Sequence, residues 1–415
     1  MKEQQVRGAT PLEGLYTGGP ASFAGSALQW IIIGVRITDA EEDLTVSSKE
    51  KVQELFALAD VKFNGRRPWD IKVHDERFFD RVLADGALGF GEAYMDGWWD
   101  CEKLDECSFR VHRADIQSKV KKNLRLVLTL AAAKIVNFQN KARAKRDVGQ
   151  HYNIGNDLYR AMLDKRMVYT CGYWKDAKNL DEAQEAKLDL VCKKIGLKQG
   201  MTVLDIGCGW GSFAKFAAEK YKAKVVGITI AEEQVKLGRE MCKGLPIEIR
   251  LQDYRDINER FDRVVSLGMI EHVGPKNYRE FMEVAHRCLK DDGLFLLHTL
   301  GSNVSNTHSS PWSDKYIFPG AVMPSIKQLG KAMEGLFVME DWHNFGPDYH
   351  PTLLAWWNNF DKNYYKLKDK YDKRFYRMWK FYLLFGSGIP LARDGQLWHI
   401  VLSKKGVLGG YKSIR

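Results

Sequence analysis

Asp205 stands two residues before the first of three alternating glycines, Gly207, Gly209 and Gly211, in the run "VLDIGCGWG" (203–211). Glycines let a backbone approach a ligand closely, and in a doubly wound sheet the first strand–helix turn is where a nucleotide is received. The dinucleotide fingerprint is G-x-G-x-x-G. Here Ser212 follows Gly211 directly, so the spacing is G-x-G-x-G. A carboxylate beside that turn is poor chemistry for a pyrophosphate and suits a cationic, sulfonium-bearing nucleoside. The pattern therefore points to S-adenosylmethionine rather than NAD. A glycine turn that serves only helix–strand packing is the alternative.

The neighbouring turns offer the rest of a pocket. "GITIAEEQ" supplies Thr229 and Gln234 as candidate ribose contacts, and "LQDYRD" supplies Asp253 and Tyr254 as candidates for the adenine edge. Each alone reads as ordinary turn polarity; their shared position at strand ends singles them out.

These residues need a sheet to position them. From about residue 200, short β-branched runs alternate with helical stretches: "TVLDI", "KVVGI", "IEIRL", "RVVSL", "LFLLHT" and "LFVMED", with "QLWHIVLSKK" (396–405) added late. That alternation predicts βαβ units and a parallel sheet covered on both faces. Seven strands, the last expected to run antiparallel, resemble the Rossmann-like α/β sheet of class I S-adenosylmethionine-dependent methyltransferases. Ahead of it, "SSKEKVQELFALA" begins a small, mainly helical domain, with Ser48 as a helix start and Glu50 close behind. We divide the chain into a flexible extension (1–47), this helical domain (48–134), a basic linker (135–149) and a catalytic domain (150–415).

At 415 residues the chain is long enough for two cores. The 63 Lys and Arg against 53 Asp and Glu leave a net charge of +10, which suits an anionic partner such as nucleic acid or a membrane surface. "LRLVLTLAAAKIVNF" (124–138) reads as an amphipathic helix leading into the basic "QNKARAKR". A solvated helix face is its bland explanation and a lipid-facing patch the sharper one. No apolar run is long enough to span a bilayer. Seven cysteines without a CxxC pair argue for reduced thiols and a cytoplasmic location, and against a disulfide framework or a metal site. Nucleic acid is disfavoured as substrate, because "GMIEHVG" occupies the place after strand four where base-modifying amino-methyltransferases carry an Asn/Asp-Pro-Pro-aromatic motif.

In order, "ALGFGEAYMDGWWDC", "HYNIGNDLYRAML", "MVYTCGYW", "VLDIGCGWG", "GMIEHVGPKNY", "LLHTLGS", "KYIFPG", "MEDWHNFGPDY" and "ARDGQLWHIV" closely resemble blocks of the cyclopropane-fatty-acyl-phospholipid synthase family over roughly residues 49–405. The resemblance implies methyl transfer from S-adenosylmethionine to a cis double bond of a phospholipid acyl chain, then proton loss and ring closure. It implies bicarbonate as the base, with ligands matching Cys171, Glu271, His298, Leu300 (through its backbone) and Tyr349. It places Tyr169 and Thr170 beside the cofactor. It also implies a peripheral association with the phospholipid bilayer surface, and leaves a homodimer open. Outside their motifs, Cys171 would read as a small buried hydrophobe and His298 as a core histidine. One departure is Gly386, where many relatives carry a Cys once proposed as a nucleophile. Residues 342–385 hold 15 aromatics in 44 positions; such rings can form core, line an acyl tunnel, or stabilise a carbocation through their faces. Two other readings compete: a lipid methyltransferase giving a methyl-branched or methoxylated chain, and a membrane-surface protein that has kept the fold without turnover.

Overall fold

In the computed structural model, residues 47–116 and 154–415 are described. All but the last residue of the expected extension, the amphipathic helix at 124–138 and the whole of the basic linker lie outside them. Seven strands form one sheet: β1 (Thr202–Ile206), β2 (Lys224–Thr229), β3 (Ile247–Leu251), β4 (Phe261–Leu267), β5 (Leu289–Ser302), β6 (Val338–Asn344) and β7 (Gly395–Ser403). Their spatial order is β3-β2-β1-β4-β5-β7-β6. The first five pair in parallel, whereas β7 inserts antiparallel between β5 and β6. The late strand thus runs antiparallel, as expected. The chain order reverses between β1 and β4, and ligands of open α/β sheets bind outside the strand carboxyl ends at such a switch point. β7 is buried along its whole length, as a strand covered on both faces must be.

Ahead of the sheet lie α1 (Ser48–Ala57), α2 (Arg77–Met95) and α3 (Leu104–Arg113). The helix α4 (Leu180–Lys194) precedes β1, and α5 (Ser212–Tyr221) follows the glycine loop. The aromatic stretch folds into α6 (Tyr349–Asn363), α7 (Lys373–Lys380), a π-helical turn Phe381–Phe385, and α8 (Gly386–Leu391).

The helical N-terminal segment does not keep a core of its own. Phe90, Tyr94 and Trp99 pack with Phe381 at ring separations of 6.0, 5.4 and 6.2 Å. Phe375 and Trp379 stack beneath them in the same cluster. Most of the aromatic stretch is therefore core, shared between the first helices and α6–α8, and Ser48–Arg415 forms one compact unit. A second contact fixes the segment after β5. Glu92 of α2 accepts from Arg81, Lys315 and Tyr316 at 2.6, 2.7 and 2.7 Å, and Trp312 seats over Gly91.

Candidate active site

β1 delivers Asp205 to the carboxyl end of the sheet, where its side chain is buried. Gly207, Gly209 and Gly211 then take positive φ angles of 78°, 55° and 79°, conformations that side-chain-bearing residues rarely adopt. A Cβ at Gly207 would sit 2.6 Å from the Met269 side chain, so that turn admits only glycine. At Gly209 a Cβ would meet nothing within 4 Å, which leaves open space above the loop for a ligand. The N–H groups of Gly207 and Cys208 donate to Ile228 O at 2.9 and 3.1 Å, tying the loop to β2. Burial pushes the Asp205 carboxyl up to about 7, with the nearby Lys187 ammonium opposing the shift.

The other cofactor candidates are placed unequally. Thr229 and Gln234 converge, the Thr229 hydroxyl donating to Gln234 Oε1 at 2.8 Å. Tyr254 lies edge-on to Phe281 at 5.5 Å. The Asp253 carboxylate caps its own turn and is engaged by the Arg255 guanidinium at 2.6 Å, so it is not free to meet an adenine edge without giving up that pair. Tyr169 shares a hydroxyl–hydroxyl bond of 3.0 Å with Tyr382 and packs on Trp356 at 5.1 Å. Thr170 accepts from Lys187 Nζ at 2.7 Å, and its methyl group fills the space beside Gly268 after β4.

Cys171, Leu300 and Tyr349 belong to one small cluster with Phe345 and Leu397. Cys171 is fully buried, its Sγ 3.7 Å from Thr352 Oγ1. Glu271, in the turn after β4, accepts from the Leu300 N–H through Oε1 at 2.7 Å, while Oε2 is buried without a partner. Burial raises the Glu271 carboxyl to about 6. Burial also pushes the Cys171 thiol and the Tyr349 phenol well above their usual ranges, Tyr349 feeling both Cys171 and Glu271 as neighbours. His298 lies on β5 opposite Leu267 of β4, and burial holds its ring well below the ordinary histidine value.

The family model for mycolic acid cyclopropane synthetase matches residues 139–399. Cyclopropane-fatty-acyl-phospholipid synthase of Escherichia coli (strain K12) is 49% identical over 362 residues, covering 87% of this chain and 94% of that protein. This chain belongs to the mycolic acid cyclopropane synthetase family. Among solved structures, a cyclopropane synthase from Mycobacterium tuberculosis is 28% identical with a TM-score of 0.57, covering 62% of this chain and 98% of that one. A mycolic acid cyclopropane synthase complexed with SAH and CTAB is 30% identical with a TM-score of 0.57, covering 61% of this chain and 96% of that one. A coclaurine N-methyltransferase bound to SAH, 22% identical with a TM-score of 0.59, shares the fold. The sheet is thus that of the S-adenosylmethionine-dependent methyltransferases.

Within this family member, several site residues escaped reading from sequence. Lys187 is fully buried and, with Gln184, which donates to Thr170 O at 2.7 Å, holds the 169–171 segment across the strand ends. Burial lowers its ammonium to about 8. The available signal was two long polar residues, spaced i and i+3, on the buried face of α4 among Ala183, Leu188 and Val191. Thr352 accepts from the Gly172 N–H at 3.1 Å and from Trp174 Nε1 at 2.8 Å, and donates to Asp348 O at 2.8 Å. Gly386 has helical backbone angles, and a Cβ there would meet only Leu353 at 3.9 Å, so neither backbone nor space demands glycine. All seven cysteines are free and buried.

Proposed function

We propose that this chain transfers a methylene unit from S-adenosylmethionine to the cis double bond of an unsaturated acyl chain in a membrane phospholipid, giving a cyclopropane ring. The observation that carries this reading is that the Asp205 glycine loop lies at the carboxyl end of the same sheet as the buried Cys171, Glu271 and His298 and the half-buried Leu300 and Tyr349. The named activity of the Escherichia coli relative supports it.

The chemistry sets demands that this site can meet. An alkene is a weak nucleophile, so methyl and double bond must be held close with water excluded. The carbon–sulfur bond breaks with its electron pair left on sulfur, the alkene bonds the methyl carbon, and a carbocation results. Loss of a proton from the new methyl group closes the ring. Tyr169, Tyr349, Trp356 and Tyr382 present aromatic faces beside the cluster, and such faces stabilise a cation without capturing it.

The donor set fits a small oxyanion. Burial raises both the Cys171 thiol and the Tyr349 phenol, so they keep their protons at neutral pH and can donate, while His298, held neutral by burial, keeps one ring nitrogen as an acceptor. Glu271 Oε2 is a buried acceptor without a protein partner, matched to a hydroxyl group. These residues would hold bicarbonate, which when bound supplies a base for the proton released by ring closure. A carboxylate alone would repel that anion; the surrounding donors and an acceptor for its proton remove the objection.

Peripheral binding to a phospholipid surface, from the cytoplasmic side, belongs to the same reading. Among the described residues no helix is long and apolar enough to cross a membrane.

Purified protein, incubated with S-adenosylmethionine and liposomes of cis-monounsaturated phospholipid, is to be profiled for fatty acids by mass spectrometry. An acyl chain one methylene heavier, with a cyclopropane confirmed by fragmentation, is expected. A methylated open chain would assign the protein to a branched-lipid methyltransferase instead, and no lipid product despite measured cofactor binding would remove the lipid assignment.

A further inference from the structure

Three histidines lie opposite one another on adjacent strands, and the proposed chemistry uses only one. His298 on β5 pairs with His399 on β7, and His399 pairs with His343 on β6. Residues directly opposite in neighbouring strands share a face of the sheet. The row therefore runs from the catalytic cluster to the sheet's outer edge, where β6 is the last strand. His298 Nδ1 and His399 Nε2 are hydrogen-bonded at 2.8 Å. The rings of His399 and His343 are 6.5 Å apart and nearly perpendicular, too far for a direct bond, yet each has a buried Nδ1 without a partner. Phe345 packs against all three rings, at 6.2 Å from His298, 4.8 Å from His399 and 5.0 Å from His343.

A buried polar atom without a partner is costly and calls for a reason. His399 Nδ1 and His343 Nδ1 are two such atoms on neighbouring strands, and a single bridging water needs polar partners of this kind. Cys171 and His298 are almost wholly enclosed, so a proton held on either leaves through neighbouring groups.

We infer that His298, His399 and His343 form a proton path, completed by one water between the last two, that carries the proton released by ring closure to the sheet edge; the inference rests on the function proposed above. A proton taken by His298 displaces the one on its Nδ1 to His399 Nε2. The proton on His399 Nδ1 then leaves through the water to His343 and out to solvent. Only N–H and O–H bonds are exchanged, and each ring ends neutral in its other tautomer. Burial holds His298 and His399 well below the ordinary histidine value, so both are neutral and able to accept on one nitrogen while donating from the other. His343 is held down to about 4 by burial, with Lys194, Arg415 and Lys175 adding to the shift and Asp341 opposing it, so it sheds an arriving proton readily.

The test uses the full chain, labelled with 15N-histidine, with His399→Gln and His343→Phe variants. In the resting protein, exchange with water of the imidazole proton shared by His298 and His399 is expected to slow at least tenfold in His343→Phe. Unchanged exchange overturns the path. With liposomes, both variants are expected to lose kcat at least tenfold with unaltered S-adenosylhomocysteine affinity, and added imidazole is expected to restore part of it. Full kcat, or a loss that imidazole does not restore and that accompanies weakened affinity, overturns the assignment and makes the row structural. If the unmodified protein makes no cyclopropane while the exchange effect persists, the proposed reaction and its proton source fail, and only the proton coupling among the three histidines is kept.

Discussion

The Leu300 N–H donates to Glu271 Oε1 at 2.7 Å, tying the end of β5 to the turn after β4 and fixing where the second carboxylate oxygen points. That oxygen is buried and unpartnered, which a structural carboxylate has no reason to be. One oxygen anchors the side chain and the other is left without a protein partner.

Glu271→Gln separates those two tasks. The amide oxygen can still accept from Leu300, so the variant is expected to fold and to bind S-adenosylmethionine as before. Turnover is expected to fall by about 100-fold or more, the scale of lost acid–base participation. Steady-state rates on liposomes, with cofactor affinity from calorimetry, check both; near-normal turnover removes Glu271 from the reaction.

Asp205 makes cofactor binding depend on pH. Its carboxyl is raised to about 7 by burial, and a cationic ligand favours the ionised form. Below that value the group must lose its proton before it can serve a sulfonium, so affinity is expected to fall up to about tenfold per pH unit between pH 7 and 5. The raised folded value also means that the ligand-free fold is favoured by protonation. Its contribution is present below the unfolded value of about 4 and is lost as pH rises through 7. Asp205→Asn should bind weakly with a flat profile. Lys187→Met, which removes the opposing charge, should move the midpoint upward. Calorimetric titrations from pH 5 to 8 read all three; a flat profile in the unmodified protein sinks the role of Asp205.

The glycine loop and the seven strands were legible because each obeys a local rule: a spacing that forces positive φ at residues 207, 209 and 211, and a period that alternates strand with helix. His298 and Glu271 entered the candidate site through the family resemblance of their motifs. What was not legible is contact across long separations. Nothing periodic in the sequence announces that Phe90 and Trp99 share a core with Phe381, or that His399 meets His298 across a strand pair. Arg255, two residues on from Asp253, engages the carboxylate that the turn exposes, a local pairing that the motif alone does not announce. Lys187 was hidden because a lysine in a helix ordinarily faces water.

Gly91 tests whether the N-terminal helices serve the catalytic half. A Cβ there would lie 2.4 Å from Trp312, whose Nε1 donates to Met95 Sδ at 3.3 Å. Gly91→Ala is expected to destabilise the fold by about 1–3 kcal/mol through overpacking. Because Phe318, six residues past Trp312, packs near Tyr169 and Tyr382, KM for lipid should rise while S-adenosylhomocysteine affinity holds. Thermal melts and liposome kinetics measure the two effects; an unchanged melting temperature would show that Trp312 moves aside freely.

Lys141, Arg143, Lys145 and Arg146 lie outside the described residues, and their chemistry supports a prediction on its own. Each basic residue near an anionic bilayer contributes about 1 kcal/mol of attraction, screened within a Debye length. Replacing all four with Glu reverses that attraction, so liposome association should fall steeply and lose its salt dependence. Cofactor affinity should not change, since none of the four is among the residues read as cofactor contacts. Flotation with phosphatidylglycerol-containing vesicles at low and high salt decides the matter. Unaltered binding of the variant would reject the basic run as the docking element and move attention to the remaining charge of the chain.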